Sequence, residues 1–182
     1  GVAIGGPLWE QSEADWRWIL GVNLWGVIHG VRAFVPKMLG SDGHVVNVAS
    51  IAGAISAPGL GAYCVTKHGV VTLSECLFHD LQMTGSKLGV SVVCPGWIKT
   101  RIADSQRNRP AVEVKASPQA IDAMVRSAVE HGKSPDVVAD AVMASIRERR
   151  FWVFTHPEML SAVRKRSDAL LAGTDPALSI PS

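Results

Sequence analysis

The chain holds a single tyrosine, Tyr63, which stands four residues before Lys67 and thirteen after Ser50. On a helix, positions four apart share one face, so the spacing predicts the Lys67 ammonium beside the Tyr63 phenol, favouring its ionised form. A phenol of pKa about 10 then becomes a usable acid or base. Hydride transfer to a carbonyl builds negative charge on oxygen, and that atom needs a proton donor and a second hydrogen bond. Tyr63 supplies the proton in this reading and Ser50 the second bond; in reverse, a Tyr63 phenolate takes the alcohol proton. The plainer readings are surface packing for the Tyr/Lys pair and a turn cap for Ser50, with Ser56 a competing hydroxyl. A serine hydrolase fits poorly, because no G-x-S-x-G elbow surrounds Ser50 and no His or Asp is placed to complete a triad.

Positioning these groups requires alternating helices and strands. Ser12-Glu-Ala-Asp15 reads as a capping-box variant opening a helix that runs to about Met38. Its apolar stripe takes in Trp16, Ile19, Leu20, Val27, Val31 and Phe34, and Asn23 falls on the same stripe, where it needs hydrogen-bonding partners. After the turn at 40–43, His44 to Ala49 is a β-branched run suited to a buried parallel strand. Ser50 lies just past its end, at the carboxyl edge where ligands bind in open α/β sheets. The Gly/Pro-punctuated stretch 56–61 is a loop shaping a pocket mouth, and a helix over 62–83 places Tyr63 and Lys67 in its first two turns. Val90–Cys94 is the next strand, broken by Pro95-Gly96. The polar, arginine-bearing stretch from Arg101 to Ser117 reads as a mobile loop. Ser117-Pro118 and Ser134-Pro135 each mark a helix start, the second helix reaching Glu148. Arg150–Thr155 is a last short strand, Pro157–Ala172 a terminal helix, and 173–182 a loose tail. Leu60 and Trp97 are candidate apolar pocket walls, Trp97 being equally suited to the core.

Four segments taken together, Asn23-Leu-Trp-Gly26, Asn47-Val-Ala-Ser-Ile-Ala-Gly53, Tyr63-Cys-Val-Thr-Lys67 and Cys94-Pro-Gly-Trp-Ile-Lys-Thr100, resemble the short-chain dehydrogenase/reductase family in its non-extended branch. The resemblance is good over roughly residues 1–105. It implies an α/β fold, the C-terminal part of a doubly wound parallel-sheet Rossmann fold, with residues 1–182 a single partial domain and the nucleotide-binding half absent. It selects Ser50 over Ser56 and implies an NAD(P)-dependent oxidoreductase interconverting an alcohol and a ketone or aldehyde. Asn23, Ser50, Tyr63 and Lys67 are then the catalytic set. Asn23 kinks its helix and holds, through its carbonyl, a water leading toward the lysine, while Lys67 also grips the nicotinamide ribose. Pro95, Gly96, the backbone of Ile98 and the Thr100 hydroxyl would meet the carboxamide of NAD or NADP. Ser50, Leu60, Tyr63 and Trp97 would meet a mid-sized, largely apolar alcohol or carbonyl substrate under a lid over 101–133. The choice between NAD and NADP rests with residues outside the sequence. The family also implies a homodimer or homotetramer through helices 12–38 and 62–83, both of which carry apolar residues on more than one side. Two rival readings are a non-catalytic remnant associating through its paired helices and an epimerase or dehydratase of the extended branch.

Composition bounds the rest. With 182 residues, 47% apolar content and a formal charge of +2, the chain suits one globular domain and argues against nucleic acid as a partner. An uninterrupted apolar run of ~18 residues is lacking, which argues against a membrane span. Cys64, Cys76 and Cys94 read as buried thiols in a reducing compartment, hence a cytoplasmic protein. The six histidines show no metal-binding spacing, His68 reads as structural, and no metal is expected.

Overall fold

Three parallel strands form the sheet in a computed structural model that describes residues 1–109 and 119–176. They are His44–Val48 (β1), Gly89–Cys94 (β2) and Trp152–Phe154 (β3), in the order β1-β2-β3. The register pairs Val46 with Ser91 and Val93 with Val153. Val90, Val92, Val93 and Val153 are almost wholly buried, as expected of strands covered on both faces. The last strand is shorter than the sequence suggests: the Phe151 carbonyl still accepts from the Val92 N–H at 2.8 Å, but the ladder covers only Trp152–Phe154 and leaves out Arg150 and Thr155.

The first long helix is two helices joined by a π-helical turn. Glu13–Leu20 (α1) starts at a capping box in which the Ser12 side chain accepts from the Asp15 N–H and the Asp15 carboxylate accepts from the Ser12 N–H. Gly21–Trp25 is the π turn, and Gly26–Met38 (α2) follows. The extra residue in such a turn shifts the register of the apolar face. That shift explains one miss of the uniform stripe: Phe34 is 64% exposed, and its neighbour Val35 packs instead against Leu77, Leu81, Leu88 and Val90. An 18-residue stretch within Glu13–Met38 has a mean hydropathy of 1.3, so this helix is long and apolar enough to cross a membrane by length and composition alone, although charged side chains interrupt its apolar run. Here it packs on the α/β layer through Ile19, Asn23 and Val35.

Gly61–Met83 (α3) crosses behind β1 and β2, burying Val70 and Val71 against Ala49, Val92 and Cys94. The loop after β2 forms a 3-10 helix over Ile102–Asn108, kinked at Asp104, so the first part of the stretch read as a loop is helical, and residues 110–117 of it lie outside the described residues. Gln119–Glu130 (α4) follows; the helix start predicted at Ser117-Pro118 lies outside the described residues. Pro135–Glu148 (α5) begins as expected, the Ser134 side chain accepting from the Asp136 N–H with proline in the first turn. Leu160–Ala172 (α6) ends at Gly173 in the left-handed conformation. Of the tail read as loose, residues 177–182 lie outside the described residues. Cys64 and Cys94 are buried as expected, whereas Cys76 is exposed on the outer side of α3.

Candidate active site

The connections leaving β1 and β2 run side by side beyond the strands. Ala49 N–H donates to the Val93 carbonyl and Ile51 N–H to the Pro95 carbonyl, both at 2.8 Å. This continued pairing brings Ser50 against Pro95 at the carboxyl edge of the sheet. Ser50 caps the 3-10 turn Ile51–Gly53, its Oγ accepting from the Ala52 N–H at 3.2 Å, and it also reaches the Pro95 carbonyl at 3.4 Å. The turn-cap role is therefore real, and it fixes the hydroxyl at the cavity mouth.

That turn lies hard against α3 because Gly53 has no side chain. The first two turns of α3 then present Tyr63 and Lys67 on one face, with the Lys67 Nζ 5.7 Å from the Tyr63 ring centroid. Lys67 is 6% exposed, and its Nζ donates to the Val48 carbonyl at 3.2 Å. An ammonium carries three donors, so two remain for other acceptors in the cavity.

Ser50, Leu60, Tyr63, Lys67, Pro95, Gly96, Trp97, Ile98 and Thr100 all line one cavity of about 920 Å³. Its walls are mostly apolar, with Ile51, Ile55, Val125 and Val129 among them, and part of α4 forms its far side. Trp97 serves both readings, packing on Ile51, Ile55 and Met159 while facing the cavity. Asn23 stands one layer back rather than on the wall. It is 3% exposed at the centre of the π turn. Its Oδ1 accepts from the Val2 N–H and its Nδ2 donates to the Val2 carbonyl, both at 2.8 Å, with Thr66 Oγ1 at 3.2 Å. Its amide thus satisfies both backbone groups of one residue, as a neighbouring strand would. Gly1 lies between Asn23 and Lys67, since a Cβ there would sit 3.2 Å from Oδ1 and 3.8 Å from Nζ.

The electrostatics differ from the simple Tyr/Lys expectation. Tyr63 keeps part of its surface on the cavity, yet crowding by protein pushes its pKa up to about 12, the nearby Ser50 hydroxyl pulling the other way. Burial drives Lys67 down to about 8, with Cys94 opposing. Desolvation is the largest effect on both groups, because burial removes the hydration that the charged phenolate and ammonium would have in water. The phenol is held protonated near neutral pH.

The sequence reading overlooked three residues. His156 accepts from the Gly96 N–H, Lys133 pairs its backbone with the loop after β2, and Gly53 allows the close approach of the Ser50 turn. Only position could have flagged His156, which follows β3 at the same sheet edge. His68, read as a structural residue, has its Nδ1 2.9 Å from the Cys64 carbonyl, whereas its buried Nε2 has no partner among the described residues. Among the described residues, no group of three or more His, Cys, Asp or Glu side chains gathers as for a metal ion.

Tyr63, Lys67 and Ser50 thus meet in one cavity at the carboxyl edge of a parallel sheet. The short chain dehydrogenase family matches residues 1–111, and the chain belongs to that family of oxidoreductases. It is 33% identical to a C alpha-dehydrogenase of Sphingobium sp. strain SYK-6, covering 100% of this chain and 60% of that protein. It is 28% identical to a CLA biosynthesis dehydrogenase/reductase of Lactiplantibacillus plantarum, covering 99% of this chain and 66% of that protein. The chain thus spans 60–66% of the length of these relatives. Among solved structures, a short chain dehydrogenase/reductase of Burkholderia phymatum in complex with NAD superposes with a TM-score of 0.94 at 42% identity, covering 100% of this chain and 68% of that one.

Proposed function

We propose that this chain carries the catalytic centre of an NAD(P)-dependent oxidoreductase that interconverts an alcohol and a ketone or aldehyde. The observation that carries the reading is the convergence of Ser50, Tyr63 and Lys67 on the cavity that Pro95–Thr100 also lines. A buried lysine with a single protein acceptor among the described residues suits the vicinal hydroxyls of a nicotinamide ribose. The NAD complex of the Burkholderia relative supports a nicotinamide dinucleotide here. When bound, that group supplies or accepts the hydride.

In the reducing direction Ser50 donates a hydrogen bond to the substrate carbonyl, and the Tyr63 O–H passes its proton to the same oxygen as hydride reaches the carbon. The resulting phenolate is stabilised by the Lys67 ammonium. In the oxidising direction the roles reverse: Tyr63 must first give up its own proton, and its phenolate, beside the Lys67 ammonium, then takes the hydroxyl proton. Asn23 acts from behind, holding the helix entry and the backbone beside Lys67. The apolar lining supports a mid-sized apolar substrate, with Ile102–Asn108 and α4 as its cover. Association through α1/α2 and α3, as a dimer or tetramer, is supported by the exposed apolar side chains of Val22, Trp25, Phe34 and Val65.

Tyr63→Phe in the active protein tests the reading. Turnover of a secondary alcohol with NAD or NADP is expected to fall at least about 10²-fold, the general-acid contribution, while cofactor affinity stays within a few fold. Retained turnover removes Tyr63 from its assigned role.

A further inference from the structure

The segment Pro95–Thr100 is gripped from two sides by residues far away in sequence. On one side the loop between α4 and α5 pairs with it: Lys133 N–H donates to the Trp97 carbonyl at 3.0 Å and Lys99 N–H to the Lys133 carbonyl at 2.9 Å. On the other side stands His156, 4% exposed. The Gly96 N–H lies 3.0 Å from its Nδ1 and the Trp97 carbonyl 3.1 Å from its Nε2. A backbone N–H only donates and a carbonyl only accepts, so Nδ1 is bare and Nε2 carries the proton. The ring is neutral, in a single tautomer.

Glycine at position 96 is what lets the ring approach. A Cβ there would lie 2.7 Å from the His156 Cγ and 2.6 Å from the Met159 sulfur. The other neighbour of Nδ1 is Thr155 Oγ1, at 2.8 Å. A hydroxyl both donates and accepts, so Thr155 can meet Nδ1 in either protonation state, whereas Gly96 N–H can meet it only when bare.

We propose that His156 is a positioning residue for Pro95–Thr100, clamping the Gly96 N–H and the Trp97 carbonyl through its neutral ring, and that protonation at Nδ1 transfers the ring's hold from Gly96 to Thr155. Its functional consequence rests on the reading of Pro95–Thr100 as the nicotinamide contact. The charged groups facing the ring are Lys133 from the α4–α5 loop and Glu158 from the turn after β3. They pair with each other at 3.0 Å, and the Lys133 ammonium also donates to the Thr155 carbonyl at 3.1 Å. Burial and then Lys133 hold His156 below its ordinary pKa, with Glu158 and the Trp97 carbonyl pulling upward. The clamp is therefore closed at neutral pH and opens on acidification.

The test follows ring nitrogen shifts of His156 and amide hydrogen exchange of Gly96 by NMR from about pH 8 to about pH 5. The expected result is the Nε2–H tautomer at neutral pH, with Gly96 protection falling about tenfold as the ring protonates, the scale of one hydrogen bond. His156→Asn keeps an acceptor near Nδ1 that does not titrate, so it should retain protection within about threefold and lose the pH dependence. His156→Phe should lose about tenfold at every pH. If that variant fails to fold, the wild-type titration and His156→Asn decide. An Nδ1–H tautomer, protection indifferent to ring protonation, or equal losses in His156→Asn and His156→Phe would each overturn the clamp. In the active protein, His156→Phe should raise the nicotinamide cofactor KM more than His156→Asn does. An unchanged KM alongside a confirmed clamp would overturn only its link to the cofactor site.

Discussion

A Cβ placed on Gly53 would lie 2.7 Å from the carbonyl oxygen of Lys67. The turn that carries Ser50 is thus set directly on the helix that carries Tyr63 and Lys67, with no side chain between them. Gly53→Ala should destabilise by about 1–3 kcal/mol, the cost of overpacking against backbone that cannot move aside. Urea denaturation measures this, and a variant as stable as the parent would show that the two elements are free to separate.

The buried lysine makes stability depend on pH in an unusual direction. Lys67 has a folded pKa of about 8, below its unfolded value of about 10.4. Between those values the unfolded chain binds more protons, so this group's contribution rises with pH, and its penalty is fully present below about pH 8. Lys67→Met should therefore stabilise at pH 7 by up to about 3 kcal/mol, the advantage shrinking toward pH 10. Tyr63 and Cys94, both pushed up to about 12, act oppositely above about pH 9, and Cys94 is itself coupled to Lys67, so the comparison is read below that pH. Denaturation of the pair at several pH values reads the difference; a gap that does not vary with pH would refute the linkage.

Removing the Asn23 amide strands both backbone groups of Val2. Asn23→Ala is expected to cost roughly 2–4 kcal/mol, with loss of exchange protection at the Val2 amide, because each buried unpaired group carries its own desolvation penalty. Unchanged protection at Val2 would mean that another partner replaces the amide.

The exposed Phe34 side chain tests the proposed association. Phe34→Glu should shift light-scattering mass toward the monomer, since a carboxylate is costly to bury in an apolar contact. A parent chain already monomeric at high concentration would argue against an interface on these helices.

How far the sequence alone reached is visible residue by residue. Ser12-Glu-Ala-Asp15 and Ser134-Pro135 announced their helix starts because capping is local chemistry, settled within four residues. The strands around Val46, Val92 and Val153 were legible as short β-branched or aromatic runs, although only β2 is buried along nearly its whole length, Val48 of β1 and Trp152 of β3 being exposed. The spacing from Tyr63 to Lys67 fixed a shared helical face. The sequence did not determine the protonation balance of those two groups, which depends on desolvation by the protein packed around them. Nor did it reveal that a π turn at Asn23 would turn Phe34 outward and Val35 inward, since one extra residue per turn leaves no mark in an apolar pattern. The grip of His156 on Gly96 belongs wholly to the tertiary structure: only the parallel ladder between β2 and β3 brings positions sixty apart in the chain to a 3.0 Å hydrogen bond.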